Sequence, residues 1–167
     1  VQIGQSVAAL QDGRVAVIWN STSSLSGKYE IITRIFNADG TPSSSEFVVN
    51  SPATLTSEYS NITAMSDGRF VVVWSEGNAT TGMQSWGRIV DASGNSAGPA
   101  FFLNGVASDG VSAPTVATLA NGNIVVAWSS NTNAPQPDIR ARLLTEEGKF
   151  IGNEYVVNTI TAGGQFS

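Results

Sequence analysis

The sequence predicts an all-β fold of three four-stranded antiparallel repeats, packed face to face as β-propeller blades. Three observations lead there. First, the stretch Arg69-Phe70-Val71-Val72-Val73-Trp74 follows a Ser66-Asp67-Gly68 turn and recurs as Arg14-Val15-Ala16-Val17-Ile18-Trp19 and Asn123-Ile124-Val125-Val126-Ala127-Trp128. Second, Trp19, Trp74 and Trp128 stand 55 and then 54 positions apart, which sets a period of about 54 residues. Third, no window carries the i, i+3, i+4 apolar spacing of an amphipathic helix. The chain is read as one repeat domain over 1–167, with repeats at 1–54, 55–108 and 109–167.

Each repeat reads as four short strands. The first strands are expected at 6–10, 61–65 and 115–119, and the tryptophan stretch is the second. The third strands are expected at 29–36, 84–90 and 139–144, the fourth at 46–50, 100–104 and 154–158. β-Branched and aromatic residues fill these runs, and Gly, Asp, Asn, Ser or Pro separate them. Gly13, Gly68 and Gly122 close the turn between the first two strands, an Asp/Asn-Gly hairpin signal.

Strand two is apolar at consecutive positions, so it is expected to be covered on both faces. Strand three alternates. Ile35, Ile89 and Leu143 fall on one face with the small residues Thr33, Gly87 and Ala141, which suggests crowding there. Arg34, Arg88 and Arg142 fall on the other, and their repetition suits a structural role such as pairing with Glu46 or Glu154. Gly40, Gly94 and Gly148 recur six residues later, and Asn50, Asn104 and Asn158 end each repeat. The long polar connections, 20–28, 75–83, 129–137, 51–60 and 105–114, emerge at one end of such sheets. Long loops on a rigid scaffold are the usual place for binding.

The end 164–167 would align with the opening 1–4, so a fourth unit would begin where the chain stops. Propellers close at four to eight blades. Three units are therefore expected to assemble with other copies, to adjoin further repeats of a longer chain, or to form a threefold β-trefoil or β-prism.

Composition narrows the function. Only 13% of the 167 residues are charged against 41% hydrophobic, so neutral polar residues must carry the surface. The net charge of −5 argues against nucleic acid and anionic membranes, and no apolar run is long enough to insert into a bilayer. Cys and His are both absent, which excludes disulfides, thiolate or imidazole metal sites and any nucleophile–histidine pair. The chain opens on Val1 without a leader, as a mature form or a piece of something longer would.

The pattern Pro114-Thr-Val116-Ala117-Thr-Leu119-Ala-Asn-Gly122, Val-Val-Ala-Trp128, Asp138-Ile-Arg-Ala-Arg142, Gly148 and Tyr155-Val-Val-Asn158-Thr resembles a tandem repeat of large exported bacterial proteins. Such repeats often accompany RTX-type or adhesin modules. The resemblance covers nearly the whole chain, three times over. It implies propeller-like blades in a secreted or cell-surface protein and offers no catalytic residues to carry over. The second copy departs from it, with Ser60 for the proline and Trp86-Gly87-Arg88 at the start of strand three.

Candidate sites follow. Trp86 replaces Ile32 and Arg140 in its column and is a candidate ligand contact, with packing against a neighbouring edge as the alternative. The loop residues Asn78, Asn131 and Asn133 are the other candidate contacts. Trp19, Trp74 and Trp128 are expected in the core. Asn37-Ala38-Asp39-Gly40 and Asp91-Ala92-Ser93-Gly94 resemble calcium turns, but each supplies too few carboxylates, so a β-turn is the expected role and no cofactor is expected. The remaining acids, among them Glu30, Glu76, Glu146 and Glu147, are scattered with no cluster that breaks the repeat, so no enzyme is expected. Asn20, Asn61 and Asn78 lie in glycosylation-type triplets of the kind chance produces in such a composition. The expected role is a non-catalytic structural or adhesive module, outside the cell or on its surface, binding glycan or protein through its loop face. A self-assembling subunit, forming a closed dimer of six blades or a filament, and a pseudo-threefold lectin are the alternatives.

Overall fold

The computed structural model describes residues 2–50, 55–78, 80, 82–105, 112–130 and 138–159. Asn131, Asn133, the loop 131–137 and the terminal stretch 164–167 lie outside the described residues. The first sheet holds β1 (Gln2–Ala9), β2 (Val15–Thr22), β3 (Tyr29–Phe36) and β4 (Phe47–Val48). The second holds β5 (Thr56–Ala64), β6 (Phe70–Asn78), β7 (Gly82–Val90) and β8 (Phe101–Phe102). The third holds β9 (Ser112–Thr118), β10 (Ile124–Ser130), β11 (Asp138–Leu144) and β12 (Phe150–Val156). Each is an antiparallel meander in chain order. Three four-stranded blades are therefore the observed architecture.

The hairpins form for the expected reason. In the first, the Leu10 N–H donates to Arg14 O at 2.8 Å and the Gly13 N–H to Leu10 O at 3.1 Å. Gly13, Gly68 and Gly122 sit at φ of 84°, 89° and 87°, which suits a residue without Cβ. Asp12 accepts from the backbone N–H and Nε of Arg14, which holds its carboxyl below the usual range. Asp67 and Asn121 accept in the same way from the N–H groups of Arg69 and Asn123.

Two apolar cores lie between the sheets. The first joins Ala16, Ile18, Ile31, Ile35 and Val49 of the first sheet to Ile62, Phe70, Val72, Trp74 and Val90 of the second. The second joins Met65, Val71, Val73, Ile89 and Leu103 to Val116, Ile124, Val126, Trp128 and Leu144 of the third. Strand two is dry on both faces only in the second sheet, where Phe70 to Trp74 are all buried. In β2 and β10 burial alternates, because each outer sheet has a neighbour on one side only. Doubly covered tryptophan strands in all three repeats are thus corrected to one.

The repeated arginines do not pair with Glu46 or Glu154. The Arg88 Nη1 donates to Val49 O of the first sheet, and Arg142 Nη1 to Leu103 O of the second at 3.1 Å. They latch neighbouring sheets through backbone carbonyls. Arg34 turns to its own sheet instead, its Nε donating to Ser44 O at 3.2 Å. Glu154 pairs with Arg140 at 2.8 Å and also accepts from the Gly105 N–H. The crowding at Gly87 is real but comes from its own sheet: an added Cβ would lie 2.6 Å from the Phe101 ring.

The fourth strands also differ from expectation. β4 and β8 keep two residues each, because the chain first makes the isolated bridges Phe36–Pro42 and Val90–Ser96. In the third repeat Phe150 and Ile151 pair with Leu144 and Leu143, so β12 starts earlier and is longer. First strands begin earlier than expected too, beyond an irregularity between Ile3 and Ser6 and between Glu58 and Asn61. Gly4, Tyr59 and Ala113 occupy that place in the three repeats, all at positive φ.

Candidate functional site

The three first strands pack side by side, β5 between β1 and β9. Their starting ends lie with the ends of the second strands and the starts of the third, on the long-loop face. Here the first joint opens into a cleft of about 280 Å³ lined by Ile3, Gly4, Asn20, Tyr29, Ser57, Glu58 and Tyr59.

The positive-φ irregularity shapes it. Gly4, at φ 65°, leaves room above Asn20: an added Cβ would come 3.1 Å from the Asn20 Oδ1. Tyr59 takes the same turn at φ 53° with a side chain that favours other conformations, at a cost of about 1–2 kcal/mol. The outcome is an exposed phenol over the cleft, with Tyr59 55% accessible.

Beneath the opening lies a hydrogen-bonded floor. Asn20 Nδ2 donates to Ser57 O at 2.9 Å and Ser60 Oγ donates to Asn20 Oδ1 at 2.9 Å. Asn50 Nδ2 donates to Ser57 Oγ at 2.7 Å, and Ser57 Oγ donates to Glu76 Oε2 at 3.1 Å. Trp74 Nε1 donates to the same carboxylate oxygen at 3.0 Å. Burial lowers the pKa of the nearby Arg88 guanidinium, and the Glu76 carboxylate opposes that shift. Such a network holds the floor rigid, since each of the side chains in it has a partner.

Most residues of this cleft break the repeat. Where the first repeat has Asn20 and Tyr29, strand pairing puts Ser75 and Met83 in the second. Tyr59 stands where the other repeats have Gly4 and Ala113, and Glu76 where they have Ser21 and Ser130. One acid, Glu76, thus departs from its column: it accepts from Ser57 on the neighbouring strand of its own sheet, and Ser57 in turn is met by Asn20 and Asn50 from across the joint. The signal was present in the columns as departures from their consensus.

The predicted site residues fall elsewhere. Trp86 is half-buried in the first joint, with its ring edge-on to Phe102 at 5.4 Å and packed against the first core. The alternative of packing against a neighbour describes that position. Asn78 ends β6 and its Oδ1 accepts from the Thr80 N–H at 2.8 Å. Asn131 and Asn133 lie outside the described residues. The Asn50, Asn104 and Asn158 side chains accept from the N–H of Ile31, Ser85 and Ile139, so this column fastens strand three. The turn carboxylates are engaged locally: Asp39 accepts from Thr41 and Asp91 from Ser93 and Asn95. Among the described residues no three acids draw together as a metal cluster.

No family model matches the chain and no curated protein matches it. Solved structures do. A Hadza microbial sialidase is matched at a TM-score of 0.71 and 12% identity, over 94% of this chain and 37% of that one. An endo-arabinase from Bacteroides thetaiotaomicron is matched at 0.58 and 13%, over 89% of this chain and 59% of that one. The chain thus spans less than two thirds of both. A fucose lectin from Kordia zhangzhouensis, in complex with methyl-fucoside, is matched at 0.52 and 11%, over 95% of this chain and 99% of that one. The fold is of propeller type.

Proposed function

We propose that the protein is a non-catalytic glycan-binding module that acts outside the cell or on its surface. The observation that carries this reading is the cleft of the first joint, where Tyr29, Tyr59, Asn20 and Glu58 depart together from the repeat. Two phenols beside a rigid polar floor suit a sugar, which offers apolar C–H faces to rings and hydroxyls to fixed partners. The structural neighbours include a lectin and two enzymes named for sugars, which supports the same ligand class. Glycoside hydrolysis needs two carboxylates across the bond. Among its described residues the cleft lining holds one, Glu58, while Glu76 below is engaged by Ser57 and Trp74.

The sugar should be neutral. Among the described residues of the lining the one charge is the Glu58 carboxylate, and the chain carries −5, so acidic glycans would meet repulsion. An extracellular setting is supported by the low charge and Ser/Thr/Asn-rich surface and by the exported repeats the chain resembles. A glycan array tests the reading. Wild type should bind neutral glycans, and Tyr59→Gly or Tyr29→Ala should weaken binding about tenfold or more. Binding that survives both changes, or binding confined to acidic glycans, would overturn it.

A further inference from the structure

Three contacts recur in both joints between sheets. The ring of a fourth-strand phenylalanine sits on a turn glycine of the next sheet: Phe47 on Gly94 and Phe101 on Gly148, where an added Cβ would meet the ring at 2.6 and 3.0 Å. An arginine of the next sheet latches a backbone carbonyl 39 positions earlier, Arg88 on Val49 and Arg142 on Leu103. Leu10 and Met65, at the ends of first strands, are buried to 5% and 2%.

The two outer faces hold the unmated halves of the same joint. On the third sheet Tyr155, Val157 and Leu119 stand 54 residues after Phe101, Leu103 and Met65. They are 47%, 51% and 41% accessible where their counterparts are packed. On the first sheet Gly40 is the counterpart of Gly94 and Gly148, and nothing lies within 4 Å of its added Cβ. Arg34 is the counterpart latch, and it turns to Ser44 of its own sheet. Val7, the counterpart of the buried Ile62 and Val116, is 62% accessible.

We infer that a second copy of this chain covers both faces: the third sheet of each copy seats Tyr155 on Gly40 of the other, and Arg34 latches Val157 O. The joint is heterologous, so it either closes a ring or propagates. Two copies supply six blades, the one multiple of three within the four to eight at which propellers close. The assembly is a closed two-copy propeller. This inference is independent of the glycan reading.

Sedimentation equilibrium of the 167-residue chain tests it, with circular dichroism to confirm folding. Wild type should have twice the 17.4 kDa chain mass. Val7→Glu and Tyr155→Glu alter exposed positions on opposite faces, so both should fold and each alone should run as a single chain. Mixed, they retain one intact pair of faces and should recover a two-copy particle, weaker than wild type. A single-chain mass for wild type at millimolar concentration would overturn the inference. So would wild-type assemblies larger than two copies, self-association surviving in either variant, or a mixture that stays single.

Discussion

The two joints share an apolar plan and differ in their polar ends. Trp74 and Trp128 are buried alike in the two cores, against Ile18 and Val73 of the preceding sheets. At the loop end they diverge. In the first joint the Trp74 Nε1 donates to Glu76, and Asn20 reaches across to Ser57. In the second, Trp128 Nε1 and Ser75 Oγ are buried without a partner among the described residues. There, polar contacts lie elsewhere: Thr118 Oγ1 donates to Ala64 O at 2.8 Å, and Glu154 links Arg140 to Gly105. The repetition thus maintains packing, while specialisation is confined to the few columns that depart from it.

The largest effect should come from the shared plan. Trp74→Ala empties a buried site of the first core and should cost about 3–5 kcal/mol in urea unfolding. Trp19→Ala, on the half-exposed outer face, should cost about 1–2 kcal/mol less than that in dilute solution, where the outer face is open. Equal losses would show that the two faces are covered equally. Next comes the polar end of the first joint. Glu76→Ser installs the residue its column has elsewhere and leaves Trp74 Nε1 and Ser57 Oγ without their acceptor. It should cost about 1–3 kcal/mol. An unchanged midpoint would mean the floor does not depend on the carboxylate.

A smaller change, of opposite sign, is expected at Tyr59. Tyr59→Gly relieves the positive φ but enlarges the freedom of the unfolded chain by about 0.4–1 kcal/mol, so stability should stay level or rise by up to about 1.5 kcal/mol. The same variant should lose glycan binding. A clear loss of stability would mean that the Tyr59 ring holds the first joint together, which would leave its departure from Gly4 and Ala113 a packing feature.

The fold was legible because its signals repeat. Gly13, Gly68 and Gly122 mark one turn three times, and β3 lies at its expected bounds since Tyr29 to Phe36 pair residue for residue with β2. The latches were not legible, because Arg88 and Arg142 meet carbonyls, and every residue carries one. Trp86 reads from its column, Ile32 and Arg140, either as a ligand contact or as packing against a neighbouring edge. In the structure it is half-buried, edge-on to Phe102 and packed against the first core. The cleft escaped for a related reason: Asn20, Glu58, Tyr59 and Glu76 each look like noise in a column and form a set only when two sheets meet.

The smallest expected effect concerns the turns between third and fourth strands, where the repeats use different acids. Burial raises the Asp91 pKa, but hydrogen bonds from Asn95, Ser93 and Gly94 outweigh it and leave the carboxyl below 3.8. Asp39 is held down by Thr41, and in the third repeat Glu147 by the hydroxyl of Thr145. A carboxyl whose folded pKa lies below its unfolded one binds fewer protons in the fold. Its stabilisation is therefore complete above the unfolded value and is lost as the pH falls through the folded one. Unfolding midpoints should stay level from neutral pH down to about 5 and decline below about 4. Asp91→Asn keeps an oxygen acceptor for the turn but removes its titration. It should flatten part of that decline, by under about 0.5 kcal/mol given the exposure of the group. A decline of unchanged steepness would place the acid sensitivity in the remaining lowered carboxyls, Asp12, Asp39 and Glu147.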